Sequence, residues 1–152
     1  MIAPTSAQVR AAVVARAHWG VFHHGQFTYD EIRPMPLTTR LPITTDCSGF
    51  VTLCYWLAGA PDPNGLGYSG EGYTGTLLSH GQHITLDKVI PGDVIVYGPG
   101  TGWHTALVVE KGADPVTVSM GEQGDPSLVR VSQDGREPQT YLRFATNYRF
   151  WG

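Results

Sequence analysis

Thr45-Asp46-Cys47-Ser48-Gly49-Phe50-Val51-Thr52-Leu53-Cys54-Tyr55-Trp56-Leu57-Ala58-Gly59 reads as one buried helix with a marked start and a marked stop. Asp46 is of the type that caps a helix by accepting a backbone N–H of the first turn, and Gly59 supplies the residue on which helices commonly end. Phe50, Leu53, Cys54 and Leu57 share one face, which therefore belongs to a core. Cys47 stands at the mouth of this helix. Unpaired N–H groups and the positive end of the helix dipole favour a thiolate there, which is the nucleophilic form, and the same N–H groups suit an oxyanion. Taken alone, a cysteine in this place is equally well explained by packing. Cys54 reads as a small core residue. Seven helical positions separate the two cysteines by about 10 Å, more than the roughly 7 Å between Cα atoms that a disulfide spans, so both are expected as free thiols.

Upstream, Thr5 or Ser6 can cap a first helix in which Val9, Ala12, Val13 and Ala17 recur at helical spacing until Gly20, the expected stop. No period holds from Val21 to Thr45, where Pro34, Pro36 and Pro42 predict a long ordered loop. Downstream, Pro61 to Gly75 is too rich in breakers for regular structure, and a short helix is expected over about Thr74 to His80. After Pro91-Gly92-Asp93 the pattern changes. Val94 to Tyr97, Thr105 to Val109 and Val116 to Met120 are short β-prone runs that predict an antiparallel meander, with Leu128 to Val131 and Tyr141 to Phe144 as further strands. Helices followed by strands make an α+β domain.

The 152 residues, 16.5 kDa, fit a single domain, residues 1–152. Hydrophobic residues at 41% can fill a core, yet no apolar run approaches the roughly 18 residues of a membrane-spanning helix. A net charge of −3 supplies no basic surplus for nucleic acid. Met1-Ile2-Ala3-Pro4-Thr5-Ser6 has neither the positive stretch nor the apolar run of a secretory signal.

A nucleophilic thiol needs a base, usually a histidine from elsewhere in the chain. Among His18, His23, His24, His80, His83 and His104, the last stands apart because it follows a glycine-rich turn and opens an apolar strand. It is either a structural histidine or the edge of a cleft. A base should itself be oriented by a third group, which the next strand can supply as Ser119, Glu122 or Gln123. Glu122 is favoured, since a carboxylate best stabilises an imidazolium. Tyr68 and Tyr73 lie amid glycines that either serve turns or open a groove, and Trp103 is the next wall of the same cleft. Asp46, Ser48 and Tyr29 complete the expected oxyanion and substrate-binding set. His80-x-x-His83, His23-His24 and Asp46 lack the context of a zinc motif, so no metal and no cofactor are expected.

Thr45-Asp46-Cys47-Ser48-Gly49-Phe50-Val51, the later Pro91-Gly92-Asp93-Val94 and a strand headed by His104 together resemble the NlpC-type peptidases, papain-like peptidoglycan hydrolases related to CHAP domains. The segments from Ala58 to Tyr68 and from Gly72 to Thr76 resemble N-terminal peptidase modules of endolysins from phages of actinobacteria. The resemblance runs from about Trp19 to Asp125. It implies a papain-like fold with the nucleophile helix packed on an antiparallel sheet, Cys47 as nucleophile, His104 as base, and bacterial peptidoglycan as the partner of a monomer. It further implies synthesis in a host cytoplasm without a signal peptide and release to the wall by a holin-type route, either as a whole or as the first module of a longer endolysin. The cleaved amide is the D-glutamyl to diaminopimelyl bond of the stem peptide or the muramoyl to L-alanine bond, the former favoured. A non-catalytic wall-binding module and an acyltransferase are the other readings. Many relatives carry a histidine on the strand after the base, and the comparable place here is taken by Met120, which cannot orient an imidazole. CHAP relatives use Glu or Asn slightly later, which favours Glu122, with Ser119 and Gln123 as alternatives.

Overall fold

The computed structural model describes residues 2–121 and 125–149. Helix α1 (Ser6–Phe22) starts on a reciprocal cap in which Thr5 Oγ1 accepts the Gln8 N–H at 3.1 Å while Gln8 Oε1 accepts the Thr5 N–H at 2.8 Å. It runs two residues past Gly20. That glycine marks a helix crossing, since a Cβ there would sit 2.5 Å from the Phe50 ring. The segment expected as a loop contains a short parallel ladder, β1 (Phe27–Tyr29) on β2 (Ile43–Thr45), in the register Phe27 to Ile43 and Tyr29 to Thr45. Three residues per strand are too few to show a period in sequence, but the pairing brings Tyr29 beside the next helix.

Helix α2 (Cys47–Ala58) begins and ends where the sequence places it, capped by Asp46 and closed by Gly59 with φ 81°. Helix α3 (Thr74–His80) also falls where expected. The main sheet is antiparallel throughout, in the order β3 (Gln82–Ile84), β8 (Gln139–Arg143), β4 (Val94–Tyr97), β5 (His104–Glu110), β6 (Val116–Met120), β7 (Pro126–Arg130). The meander is therefore β4 to β7. The last strand does not extend it but returns to the far side of β4, and it starts two residues before the expected Tyr141. Likewise β7 spans Pro126–Arg130, and Val131 opens a single-turn helix, α4 (Val131–Asp134). The three-residue edge strand β3, with Gln82 and His83 exposed and only Ile84 half-buried, had no apolar alternation to announce it.

Strand pleating divides the core in two. Val94, Val96, Leu107, Val118 and Leu142 face α1 and α2, where they meet Val9, Val13, Phe50 and Leu53. Ile95, Tyr97, Ala106, Val108 and Tyr141 face the other way, with Val89 and Val131. Each fully buried large side chain contributes about 1.5–3 kcal/mol, which ties the rim of α2 to the sheet. Tyr55 adds a hydrogen bond from its hydroxyl to the Gly92 carbonyl at 2.6 Å.

Asp93 follows that carbonyl and joins the layers. Its carboxylate accepts from Arg10 Nη1 of α1 at 3.3 Å, from Arg143 Nε and Nη2 of β8 at 3.0 and 2.8 Å, and from the Ile90 N–H at 2.9 Å, while fully buried itself. Removing one member of such a cluster leaves charges without their partner. Asp93→Ala should therefore lower stability by about 3 kcal/mol, read as an earlier urea midpoint at unchanged slope. A loss below about 1 kcal/mol would contradict the bridging role.

Candidate active site

The cap of α2 builds the site. Asp46 Oδ1 accepts the Gly49 N–H at 2.8 Å and the Ser48 hydroxyl at 3.3 Å, while Oδ2 pairs with Arg33 Nη2 at 2.9 Å. Arg33 also donates to Ser48 Oγ at 3.2 Å and to the Gly72 and Ile32 carbonyls at 3.0 and 2.8 Å. Its guanidinium thus fastens two loops to the helix start. Gly49 is required by close approach, because a Cβ would lie 2.1 Å from Thr45 Oγ1.

The glycine-rich loop after α2 is held by its own polar groups. Asp62 accepts the N–H groups of Asn64, Leu66 and Tyr68 at 2.9, 3.1 and 2.9 Å. Asn64 bridges from Thr52 of α2 to Thr76 of α3 at 2.9 and 2.8 Å. This fixes the loop end that carries Glu71 and Tyr73. The result is a cleft of about 410 Å³, lined by Tyr29, Asp46, Cys47, Ser48, Tyr73 and Trp103, six residues singled out from the sequence. Trp103 and Tyr73 are exposed at its rim. Glu31, Arg33, Glu71 and Thr74 line it too and carried no spacing signal.

Tyr68 does not belong to this cleft. Its backbone is held by Asp62 with φ 58°, its hydroxyl donates to the Ala60 carbonyl at 2.6 Å, and Arg149 lies 5.0 Å over its ring at the far end of α2. His23 pairs with Gln26 and His83 with the Leu78 carbonyl.

The expected acidic thiol is corrected by the surroundings of Cys47. Burial pushes it up to about 11, the N–H groups of Thr105, Ser48 and Cys47 itself pull it down, and the Asp46 carboxylate pushes it further up. Desolvation and the capping anion outweigh the helix end. Cys54 is sealed in the core, where burial raises its thiol as well. Both thiols are free.

His104 opens β5 on the outer face of the sheet, stacked on Tyr97 with ring centroids 5.9 Å apart. Its Nε2 lies 2.6 Å from Ser119 Oγ. Burial, assisted by the Arg136 charge and opposed by Asp134, holds the imidazole down to about 4. Ser119, one of the alternatives, is the residue placed against the ring, while Glu122 and Gln123 lie outside the described residues. Met120 does not occupy the place of a third residue, because it points into the inner core. The thiol and the ring both border the start of β5. The Thr105 N–H approaches the sulfur, whereas the ring turns to Ser119, and no hydrogen bond joins Cys47 to His104 among the described residues.

No protein-family model matches the chain, and no curated protein matches it by sequence. Solved structures do. The peptidoglycan hydrolase RipB of Mycobacterium tuberculosis is 24% identical, with a TM-score of 0.62 over 92% of this chain, which spans 66% of that one. The P60 domain of an M. avium subspecies paratuberculosis antigen is 20% identical, with a TM-score of 0.61 over 94% of this chain and 98% of that one. RipD of M. tuberculosis, described as a non-catalytic NlpC/p60 domain protein adapted to peptidoglycan binding, is 23% identical, with a TM-score of 0.60 over 90% and 97%. This chain has the NlpC/p60 fold.

At neutral pH the thiol is protonated and the imidazole neutral. Alkylation of Cys47 by iodoacetamide should thus be roughly a hundredfold slower at pH 7 than for an ordinary thiol, rising about tenfold per pH unit to pH 10. Peptide mapping separates it from Cys54. A rate that levels off below pH 8 would contradict the raised thiol.

Proposed function

We propose that this domain is a thiol-dependent peptidoglycan hydrolase that cleaves an amide of the stem peptide, the D-glutamyl to diaminopimelyl bond being favoured. The observation that carries the reading is Cys47 at the head of a capped helix, its sulfur approached by three backbone N–H groups and the residue lining a cleft of about 410 Å³. The likeness in fold to RipB supports it. Lysis from a phage-infected host, with release to the wall by a holin-type route, belongs to the same proposal and rests on the sequence resemblance.

With both groups neutral at rest, the proton moves during attack rather than before it. The imidazole takes the thiol proton as the Cys47 Sγ–carbon bond forms, and backbone N–H groups at the helix start hold the oxyanion. The imidazole then gives that proton to the departing nitrogen as the carbon–nitrogen bond breaks, leaving a thioester. Water, deprotonated by the same ring, attacks the thioester and returns the thiol. Ser119 orients the ring from its Nε2 side. Substrate must draw ring and sulfur together, a tightening that is common between unliganded and bound enzymes.

A second reading has a specific observation in its favour. The ring is held by Ser119 without a hydrogen bond to the sulfur, and a fold relative, RipD, is described as non-catalytic. A wall-binding module would keep the cleft and need no proton transfer. Purified peptidoglycan separates the two. The wild type should release new amino termini, Cys47→Ala should release none, and Ser119→Ala should slow release by roughly tenfold or more while leaving sedimentation with the wall unchanged. Unchanged release by Cys47→Ala would end the hydrolase reading. Binding without any release by the wild type would favour the module.

A further inference from the structure

The imidazole of His104 borders a charged wall. Asp134 and Arg136 line the same concavity of about 480 Å³ as His104 and Ser119, with Asp125 at its rim. Local structure sets the first two face to face. Helix α4 is a single turn closed by Gly135 with φ 71°, and the reversal of the chain brings side chains two positions apart together. Arg136 Nε and Nη2 donate to Asp134 Oδ1 and Oδ2, each at 2.8 Å. Asp114 anchors the helix by accepting the Ser132 N–H at 2.9 Å and the Ser132 hydroxyl at 2.6 Å.

The pair meets the base over an aromatic ring. Arg136 Cζ lies 5.8 Å from the centre of the Tyr97 ring, and His104 lies nearly parallel to the same ring, at 15° with centroids 5.9 Å apart. Ser119 on β6 holds the edge of the imidazole and carries no charge. The Tyr97 phenol on β4 is pushed up by burial and stays neutral, as does the Cys47 thiol on α2. Asp125, half exposed before β7, is engaged by His24 at 3.6 Å. Burial of the Asp134 carboxyl is outweighed by the hydrogen bonds and charge of Arg136, which hold it ionised below the usual carboxylate range. Among the described residues, Arg136 and Asp134 are then the charges that act on the ring. After burial, Arg136 weakens its hold on a proton and Asp134 strengthens it.

Resting on the hydrolase reading for its part in the reaction, we propose that Arg136 is a positioning residue for His104, its guanidinium set over Tyr97 by Asp134 so that the base rests neutral. An imidazolium beside a guanidinium surrenders its proton more readily than one beside a carboxylate. Once the ring has taken the thiol proton, the same charge therefore speeds delivery of that proton to the departing nitrogen.

The test follows the His104 ring by NMR through an acid titration of the intact protein, its resonance assigned by loss in His104→Gln. The pH dependence of kcat/KM for amine release from a γ-D-glutamyl-diaminopimelyl peptide is measured in parallel. Arg136→Gln should raise the titration midpoint by about one pH unit, Asp134→Asn should lower it, and Arg136→Lys, which keeps the charge, should restore most of the wild-type value. Activity needs the neutral ring, so the pH below which kcat/KM falls should move up in Arg136→Gln and down in Asp134→Asn. A purely structural role for the pair predicts otherwise, because loosening α4 admits water to the ring and raises the midpoint in both variants. Midpoints that rise in both, or that move in neither, would overturn the proposal, as would an Arg136→Lys midpoint equal to that of Arg136→Gln. Amine release whose acid limb ignores both substitutions would overturn it too and leave the hydrolase reading intact. Opposed midpoint shifts in a protein that releases no amine would uphold the hold of the pair on the ring and end the hydrolase reading, since the NMR titration does not depend on turnover.

Discussion

One carboxylate governs the candidate site. Asp46 caps α2, holds the Ser48 hydroxyl and binds Arg33, which in turn ties the loops before and after the helix to its start. Without that cap the first N–H groups of α2 lose their ordered direction. The cleft walls that reach Gly72 through Arg33 lose their anchor as well. The same anion carries a chemical cost. Sitting beside a buried thiol, it opposes ionisation and offsets the help of the helix end.

That balance shapes the chemistry. A thiol raised to about 11 and an imidazole held near 4 describe two neutral partners at rest, each protected from solvent by the sheet and the helix. In the proposed hydrolase, proton transfer is then coupled to nucleophilic attack and to the electrostatic environment that a bound amide completes. Such a site stays unreactive toward adventitious electrophiles until it is filled.

Much of this was legible in the chain itself, and particular residues explain why. Asp46 and Gly59 bound α2 because capping and left-handed termination are local, and the β-branched runs after Asp93 declare strands for the same reason. Cys47, Trp103 and Tyr73 meet in one cleft as the sequence suggests. What was hidden depends on distant contacts. Arg33 lies in a proline-broken stretch with no period, and its role appears only when Asp46, Ser48 and Gly72 converge on it. Met120 and Ser119 are neighbours that strand pleating, invisible in a motif, sends to opposite faces, Met120 to the core and Ser119, an alternative to the favoured Glu122, to the imidazole. The character of Cys47 was misjudged for a related reason: a helix end can be recognised locally, whereas burial is a property of the whole fold.

In the proposed mechanism the Cys47 sulfur becomes covalently acylated by the substrate. Intact-protein mass spectrometry after rapid acid quenching of the protein with an excess of a stem-peptide fragment reads this directly. A mass gain equal to the acyl portion, located on the tryptic peptide that contains Cys47 and lost on hydroxylamine treatment, is the predicted result. Continued release of amino termini with the Cys47 peptide unmodified at every quench time, even after acidification to slow deacylation, would contradict it.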